Sequence, residues 1–374
     1  MKVLFQTIGV LVHYNFALPY YLTRIESVKK FKIHIITDVF SILMGGYYYA
    51  IKSRGKLMLK TRGSGVNFID SISFAKLFKK IVVKNITMSQ YSVVHLNGSG
   101  DEALDVLLKL QIPKLFVLHG SLDMDGRSCK ILEGIYTKVD AFVTVSFHAA
   151  SKLHEVCGFK PSHVIHHGVD IEIFNPLSYS KSEAKKILNL PVSKKIILWN
   201  ARLSPEKRLE TLLYALPQVI KEFKDFLVLV KTRAIVKEYK VKILRLIKML
   251  NLDNYVIFDT SWTTLIRMPI HYRATDVYVN TSTTEAFGSL AMLEAMACGT
   301  PTIANNASSN PEALRDGGLL YERNNSYDLA EKLLKVLTDD KLARVLGYRA
   351  YKRVKSELTL SSISRKYATL YLSL

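Results

Sequence analysis

Short apolar runs recur along the chain, with longer amphipathic stretches between them. Residues 3–8, 33–37, 93–96, 115–118, 141–145 and 163–167 predict strands, most of them apolar on both faces. Helical spacing of apolar and polar positions over residues 20–30 and 102–110 predicts helices between them. A strand apolar on both faces belongs in a parallel sheet covered by helices, because a half-solvated sheet alternates. Residues 175–180, Asn-Pro-Leu-Ser-Tyr-Ser, are rich in breakers and predict a connector. The alternation then restarts, with strands at 196–199, 226–230, 255–258, 277–280 and 302–304 and helices at 209–223 and 237–250. This pattern predicts two successive doubly wound α/β domains, with a ligand in the cleft at the carboxyl ends of their strands.

Size and composition agree with that plan. A chain of 374 residues favours two or more domains, and 49% apolar residues suffice for a core in each. The three cysteines, Cys129, Cys157 and Cys298, are sparse, odd in number and far apart. They predict no disulfide framework and no zinc site, which favours the reducing cytoplasm. The apolar start of the chain reads as a first strand rather than a signal peptide, and no apolar run reaches the ~20 residues of a spanning helix. The formal charge of +20, from 52 Lys+Arg against 32 Asp+Glu, favours anionic partners: nucleotide diphosphates, phospholipid headgroups or nucleic acid. Residues 74–84 mix apolar and basic positions at helical spacing. They suit an anionic membrane surface, although an ordinary sheet-covering helix is the simpler reading.

The most informative segment is Thr284-Glu285-Ala286-Phe287-Gly288-Ser289, which leads into helix formers as far as Ala297, with Gly299 and Pro301 as stop signals. It follows the strand at 277–280, so Phe287, Gly288 and Ser289 sit at a helix N-terminus aimed out of a strand end. Free amides and the positive helix end favour phosphate there, and Gly288 allows close backbone approach. Glu294, deeper in the helix, is placed to accept ribose hydroxyls. The cations that a diphosphate requires follow another strand, at 196–199: Arg202 and Lys207 in Ala201-Arg202-Leu203-Ser204-Pro205-Glu206-Lys207.

These segments resemble the retaining GT-B glycosyltransferases of family 4. The 201–207 loop is similar to that family's Arg-x4-Lys loop, and Glu285-Ala286-Phe287-Gly288 with residues 294–301 resembles its Glu-x7-Glu signature. Val143-Thr144-Val145-Ser146, His166-His167-Gly168-Val169-Asp170 and Phe174-Asn175-Pro176 resemble the family's serine strand and hinge. Asn310-Pro311-Glu312-Ala313-Leu314 and Gly317-Gly318-Leu319-Leu320 resemble the block after the signature. The resemblance is dense over residues 140–325 and thin before them.

The resemblance implies a GT-B fold: two Rossmann-like doubly wound domains facing each other across a cleft. The acceptor-side domain would span residues 1–176, the nucleotide-sugar domain 177–357, and a helix over 358–374 would cross back to the first. Arg202 and Lys207 would bind the donor diphosphate together with Phe287, Gly288 and Ser289, and Glu294 would hold the ribose. Glu285 would meet the transferred sugar, and His119, in Leu118-His119-Gly120, would face that sugar from the first domain. A hexosyl unit would pass with retention, without metal or cofactor, from a nucleotide-diphosphate sugar to a glycan, lipid-linked or other hydroxyl acceptor. The setting would be cytoplasmic, at the inner membrane face if lipids are the acceptors.

Three features depart from the family pattern. Eight residues separate Glu285 from Glu294, and one added helical position swings a side chain by about 100°. The loop after residues 3–8 lacks a glycine pair. Lys231-Thr232-Arg233 stands where Gly-x-Gly is expected, which offers Lys231 and Arg233 as replacement cations. A DNA glucosyltransferase of the same fold and a non-catalytic nucleotide-sugar-binding relative are the rival readings. Asp123-Met124-Asp125 imitates a metal-binding pair of the other main transferase fold, but the surrounding organisation is wrong for it.

Overall fold

The structure is a computed structural model that describes residues 2–6, 18, 32–36, 57–60, 92–98, 108, 111–120 and 126–374. The expected helix at 20–30, that at 102–110 apart from Leu108, the basic stretch 74–84, the loop after the first strand and Asp123-Met124-Asp125 lie outside the described residues.

The chain forms two compact units: Met1–His167 with Leu360–Leu374, and Gly168–Thr359. The first holds a parallel sheet in the order β3-β2-β1-β4-β5-β6-β7. Its strands are β1 (Lys2–Gln6), β2 (Lys32–Ile36), β3 (Leu57–Lys60), β4 (Val93–Asn97), β5 (Lys114–Leu118), β6 (Ala141–Thr144) and β7 (His163–Val164). Strands β4, β5 and β6 are buried at every position, as both-face apolar runs require. Helices α1 (Gly126–Tyr136) and α2 (Phe147–Cys157) flank β6. Ser146 caps α2 by accepting the Ala149 amide at 2.9 Å, and Gly158 ends it with φ +79°.

Two expectations change here. Cys129 on α1 and Cys157 on α2 lie 5.1 Å apart at Cα and form a disulfide. Packing of two helices brought together cysteines that are distant in sequence, and the cysteine argument for a reducing compartment loses its premise. The division between units falls at His167, not at residue 176. The reason is local: the Val169 amide donates to the Leu358 carbonyl at 2.8 Å, and Val169 bridges Thr359, which commits the chain after His167 to the second unit. The last helix, α11 (Leu360–Ser373), belongs to the first unit, where Tyr371 and Tyr367 pack on His95 of β4. Among the described residues no helix is long and apolar enough to cross a membrane.

The second unit holds a parallel sheet in the order β10-β9-β8-β11-β12-β13. Its strands are β8 (Lys195–Asn200), β9 (Phe226–Lys231), β10 (Val256–Asp259), β11 (Val277–Asn280), β12 (Thr302–Asn305) and β13 (Leu319–Tyr321). Helices α3 (Lys181–Ile187), α4 (Leu209–Glu222), α5 (Lys237–Met249), α6 (Met268–Ala274), α7 (Leu290–Ala297), α8 (Asn310–Leu314), α9 (Ser326–Thr338) and α10 (Asp340–Glu357) surround it. On α4, Leu209, Leu212, Leu213, Leu216 and Val219 repeat at helical spacing and are fully buried in the main core. Leu329, Leu333, Val336 and Leu337 of α9 complete that core. From β8 the chain winds outward through β9 and β10, then returns through β11 on the other side of β8. The ends of β8 and β11 therefore form the topological switch point, where α/β sheets bind ligands.

Candidate active site

Of the residues named from the sequence, Arg202, Lys207 and the segment Glu285–Glu294 follow the ends of β8 and β11 at that switch point. After β8 the chain forms a tight turn over Pro205–Lys207, and Arg208 follows in the left-handed region at φ +52°. The turn is pinned to the end of β11: the Thr281 hydroxyl donates to the Lys207 carbonyl at 2.6 Å and receives the Trp199 indole at 2.8 Å. So fixed, Lys207 reaches Glu285, with Nζ 2.7 Å from Oε1 and both side chains largely buried. Arg202 behaves differently. It is exposed, and its guanidinium meets Glu206 Oε1 at 3.0 Å, a carboxylate that also accepts the Ser204 hydroxyl at 2.6 Å. Lys207 is therefore bound into the site, and Arg202 stands at its rim.

The segment Glu285–Ser289 is held by serines that sequence reasoning did not single out. The Ser308 and Ser309 hydroxyls donate to the Glu285 carbonyl at 2.5 and 2.7 Å, and Ser309 Oγ accepts the Gly288 amide at 3.0 Å. Gly288 sits at φ +50°, where a Cβ would meet Met292 Cε at 2.5 Å and Ala313 Cβ at 3.1 Å. Close packing and left-handed backbone both demand glycine. Ser289 caps α7 by accepting the Met292 amide at 3.0 Å, which leaves the amides of Leu290 and Ala291 without a protein acceptor among the described residues. Those amides and the positive helix end suit an anion. Phe287 is fully buried, so its ring serves the core and only its backbone borders the tip.

Glu294 faces the same strand end despite the added residue. Its Oε2 accepts the Tyr272 hydroxyl at 2.6 Å, and that hydroxyl accepts Asn200 Nδ2, at the end of β8, at 2.9 Å. Burial pushes Glu294 up to about 7, only partly offset by the Tyr272 hydrogen bond. Tyr272 and Asn200 carried no signal in the sequence, because only packing of α6 against β8 brings them to Glu294.

The cations offered in place of Gly-x-Gly are engaged elsewhere. Lys231 is buried, with Nζ 3.0 Å from Asp259 Oδ2 and 2.8 Å from the Ser261 carbonyl. The same Asp259 oxygen lies 2.8 Å from His271 Nε2. The Arg233 guanidinium lies over the Trp262 ring, 3.6 Å from its centroid.

His119, in the first unit, lies in a buried polar chain. Asn97 Oδ1 accepts from Nε2 of both His119, at 2.7 Å, and His95, at 3.0 Å. That fixes the neighbouring tautomers: His119 Nδ1 accepts His167 Nε2 at 3.0 Å, and His95 Nδ1 accepts the Tyr371 hydroxyl at 2.6 Å. Burial drives His119 down to about 3, which favours the neutral imidazole. Both ring nitrogens are occupied, and the chain of contacts ties β4, β5 and α11 together.

Comparison with known proteins matches residues 180–353 to the model for glycosyl transferases group 1 and residues 14–173 to that for glycosyltransferase family 4. The chain is 24% identical over 355 residues to N-acetyl-alpha-D-glucosaminyl L-malate synthase of Bacillus anthracis, across 84% of this chain and 90% of the relative. It is 32% identical over 192 residues to D-inositol 3-phosphate glycosyltransferase of Streptomyces bingchenggensis, across 49% and 42%. Among solved structures, Anabaena HepE in complex with UDP and glucose superposes over the whole of both chains, with TM-score 0.80 at 19% identity.

Proposed function

Because the chain belongs to the group 1, family 4 glycosyltransferases of GT-B fold, we propose that it moves a hexosyl unit, with retention and without a metal, from a nucleotide-diphosphate sugar to a hydroxyl of a glycan or lipid-linked acceptor. The observation that carries this reading is the Lys207–Glu285 ion pair at the switch point, beside the capped tip of α7. Lys207 holds the diphosphate with the tip amides of α7, and Arg202 closes over it from the rim. An ammonium has three N–H donors, so Lys207 serves the phosphate while keeping Glu285 in place. Charge building on the departing diphosphate meets a fixed cation and a helix end, which lowers the barrier without reorganisation. Glu285 borders the transferred sugar and Glu294 takes the ribose hydroxyls. Acid–base work is secondary, since the task of the site is to orient the donor and neutralise the leaving group.

A thermal-shift panel of UDP-, GDP- and ADP-sugars tests the donor. The matching donor raises Tm in proportion to the logarithm of its excess over Kd. Release of nucleoside diphosphate with an acceptor then shows turnover, and NMR of the product's anomeric proton reports its configuration. A donor that binds without turnover across an acceptor panel indicates the non-catalytic relative instead. An inverted product refutes retention.

A further inference from the structure

The second unit carries a separate hollow of about 420 Å³ at the opposite ends of its strands. Arg202 and Lys207 follow the carboxyl end of β8. The hollow is lined by Lys195 at the amino end of β8, by Asp276 just before β11, by Arg273 at the end of α6, by Lys181 of α3, and by Asp340 and Arg344 of α10. No part of the donor site reaches it.

The charges around it do not cancel. Asp276 is held twice, by Lys181 at 2.7 Å and by Lys185 at 3.0 Å, and also accepts the Ile196 amide at 2.8 Å. Asp340 is held by Lys195 at 2.6 Å. Each carboxylate is thus held by a lysine, Arg344 adds its field to Asp340, and positive charge remains in surplus around the hollow. Arg273 donates Nε to the Tyr179 carbonyl at 2.8 Å and Nη1 to the Cys298 carbonyl at 3.0 Å, which fixes its plane and leaves Nη2. Arg344 makes no hydrogen bond or ion pair with any described residue, and each lysine uses only part of its three donors on its carboxylate. A pre-oriented guanidinium, a free one and two spare ammonium edges around one concavity form a donor set for a tetrahedral oxyanion. The volume lies within the ~300–1,000 Å³ of small-molecule sites, more than one phosphate group fills.

We infer that this hollow is a second anion site, which takes a dianionic phosphate group, either free or as the monoester of a small molecule. It is independent of the donor assignment, because it shares no residue with that site.

The test is isothermal titration of the full chain with inorganic phosphate and with glycerol 3-phosphate, at constant ionic strength, for the native protein, Lys207→Ala and Arg344→Glu. Arg344 is exposed and, apart from its electrostatic pull on Asp340 one turn before it, engages no described side chain, so its reversal is expected to leave the fold and donor affinity largely intact. Saturable binding is expected to survive Lys207→Ala and to weaken at least ~10-fold in Arg344→Glu, as loss of a charge-assisted contact plus repulsion requires. Lys195→Ala serves as a second probe of the same hollow and is expected to weaken binding in the same sense. Tighter glycerol 3-phosphate identifies a phosphorylated small molecule as the ligand; equal affinity identifies free phosphate. Loss of binding in Lys207→Ala with none in Arg344→Glu would place the anion in the donor site and overturn the inference. Absence of saturable binding by either probe in the native protein would overturn it too.

Discussion

If Glu294 takes the donor's ribose as proposed, donor binding is expected to depend on pH. Burial lifts it from 4.5 to about 7 in the folded protein. The folded state therefore holds this proton more tightly than the unfolded chain does. Across that window the folded state binds more protons, so the contribution of Glu294 to stability is present below about pH 4.5 and is lost as pH rises through 7. The loss is about 3 kcal/mol at about 1.4 kcal/mol per unit. Ribose hydroxyls donating to the carboxylate favour its ionised form, so donor binding in the proposed site expels the proton. A group with a value of about 7 is about one-tenth ionised at pH 6 and nine-tenths at pH 8, so donor affinity is expected to weaken about 10-fold between pH 8 and pH 6. Isothermal titration with whichever of UDP-, GDP- and ADP-glucose binds measures this. A nucleotide-diphosphate sugar has no terminal phosphate monoester titrating in the same range, so the slope belongs to the protein. At pH 7 about half a proton leaves per donor bound, seen as a dependence of the observed enthalpy on buffer. Glu294→Gln keeps the hydrogen bond from Tyr272 but cannot ionise, so it is expected to flatten the slope and to raise stability at pH 8. An affinity unchanged between pH 6 and pH 8 with no proton released, or a slope that persists in Glu294→Gln, would refute the reasoning.

Other outcomes follow from the same geometry. Lys207→Met strands Glu285 in a largely buried setting and is expected to cost about 2 kcal/mol, below the range for fully buried pairs. Adding Glu285→Gln should restore Tm in thermal unfolding but not donor binding, whereas Arg202→Met should weaken the donor with little change in Tm. Gly288→Ala forces a side chain into the left-handed region against Met292 and Ala313 and is expected to cost about 2 kcal/mol by urea unfolding; an unchanged midpoint would contradict the packing described. Thiol titration of the unfolded, unreduced chain should find one group, Cys298, and the reduced chain should show all three; three thiols before reduction would exclude the Cys129–Cys157 bond.

Much of the fold was legible in the chain because parallel strands buried on both faces write themselves as continuous apolar runs. Strand β11 occupies residues 277–280 as the pattern predicts, and β8, β9 and β12 extend the expected runs by a residue or two. The strands that pattern alone missed are β3 and β13, pieces of four and three residues at sheet edges, too short to display a period. Within the site, Lys207, Glu285 and Gly288 could be named because a strand end followed by a turn and a helix start leaves backbone groups and charges at known places.

What the chain determined by itself was therefore the order of elements and the ends of strands where chemistry collects, since both rest on local periodicity and on breakers. Tertiary structure alone decided the partners. It turned Lys207 toward Glu285 and left Arg202 with Glu206, and it brought Tyr272 and Asn200 to Glu294. It engaged His119 on both sides, paired Cys129 with Cys157, and gathered cations at the far ends of the strands. Each of these joins residues distant in the chain through packing of separate elements, and such contacts have no period for a sequence to display.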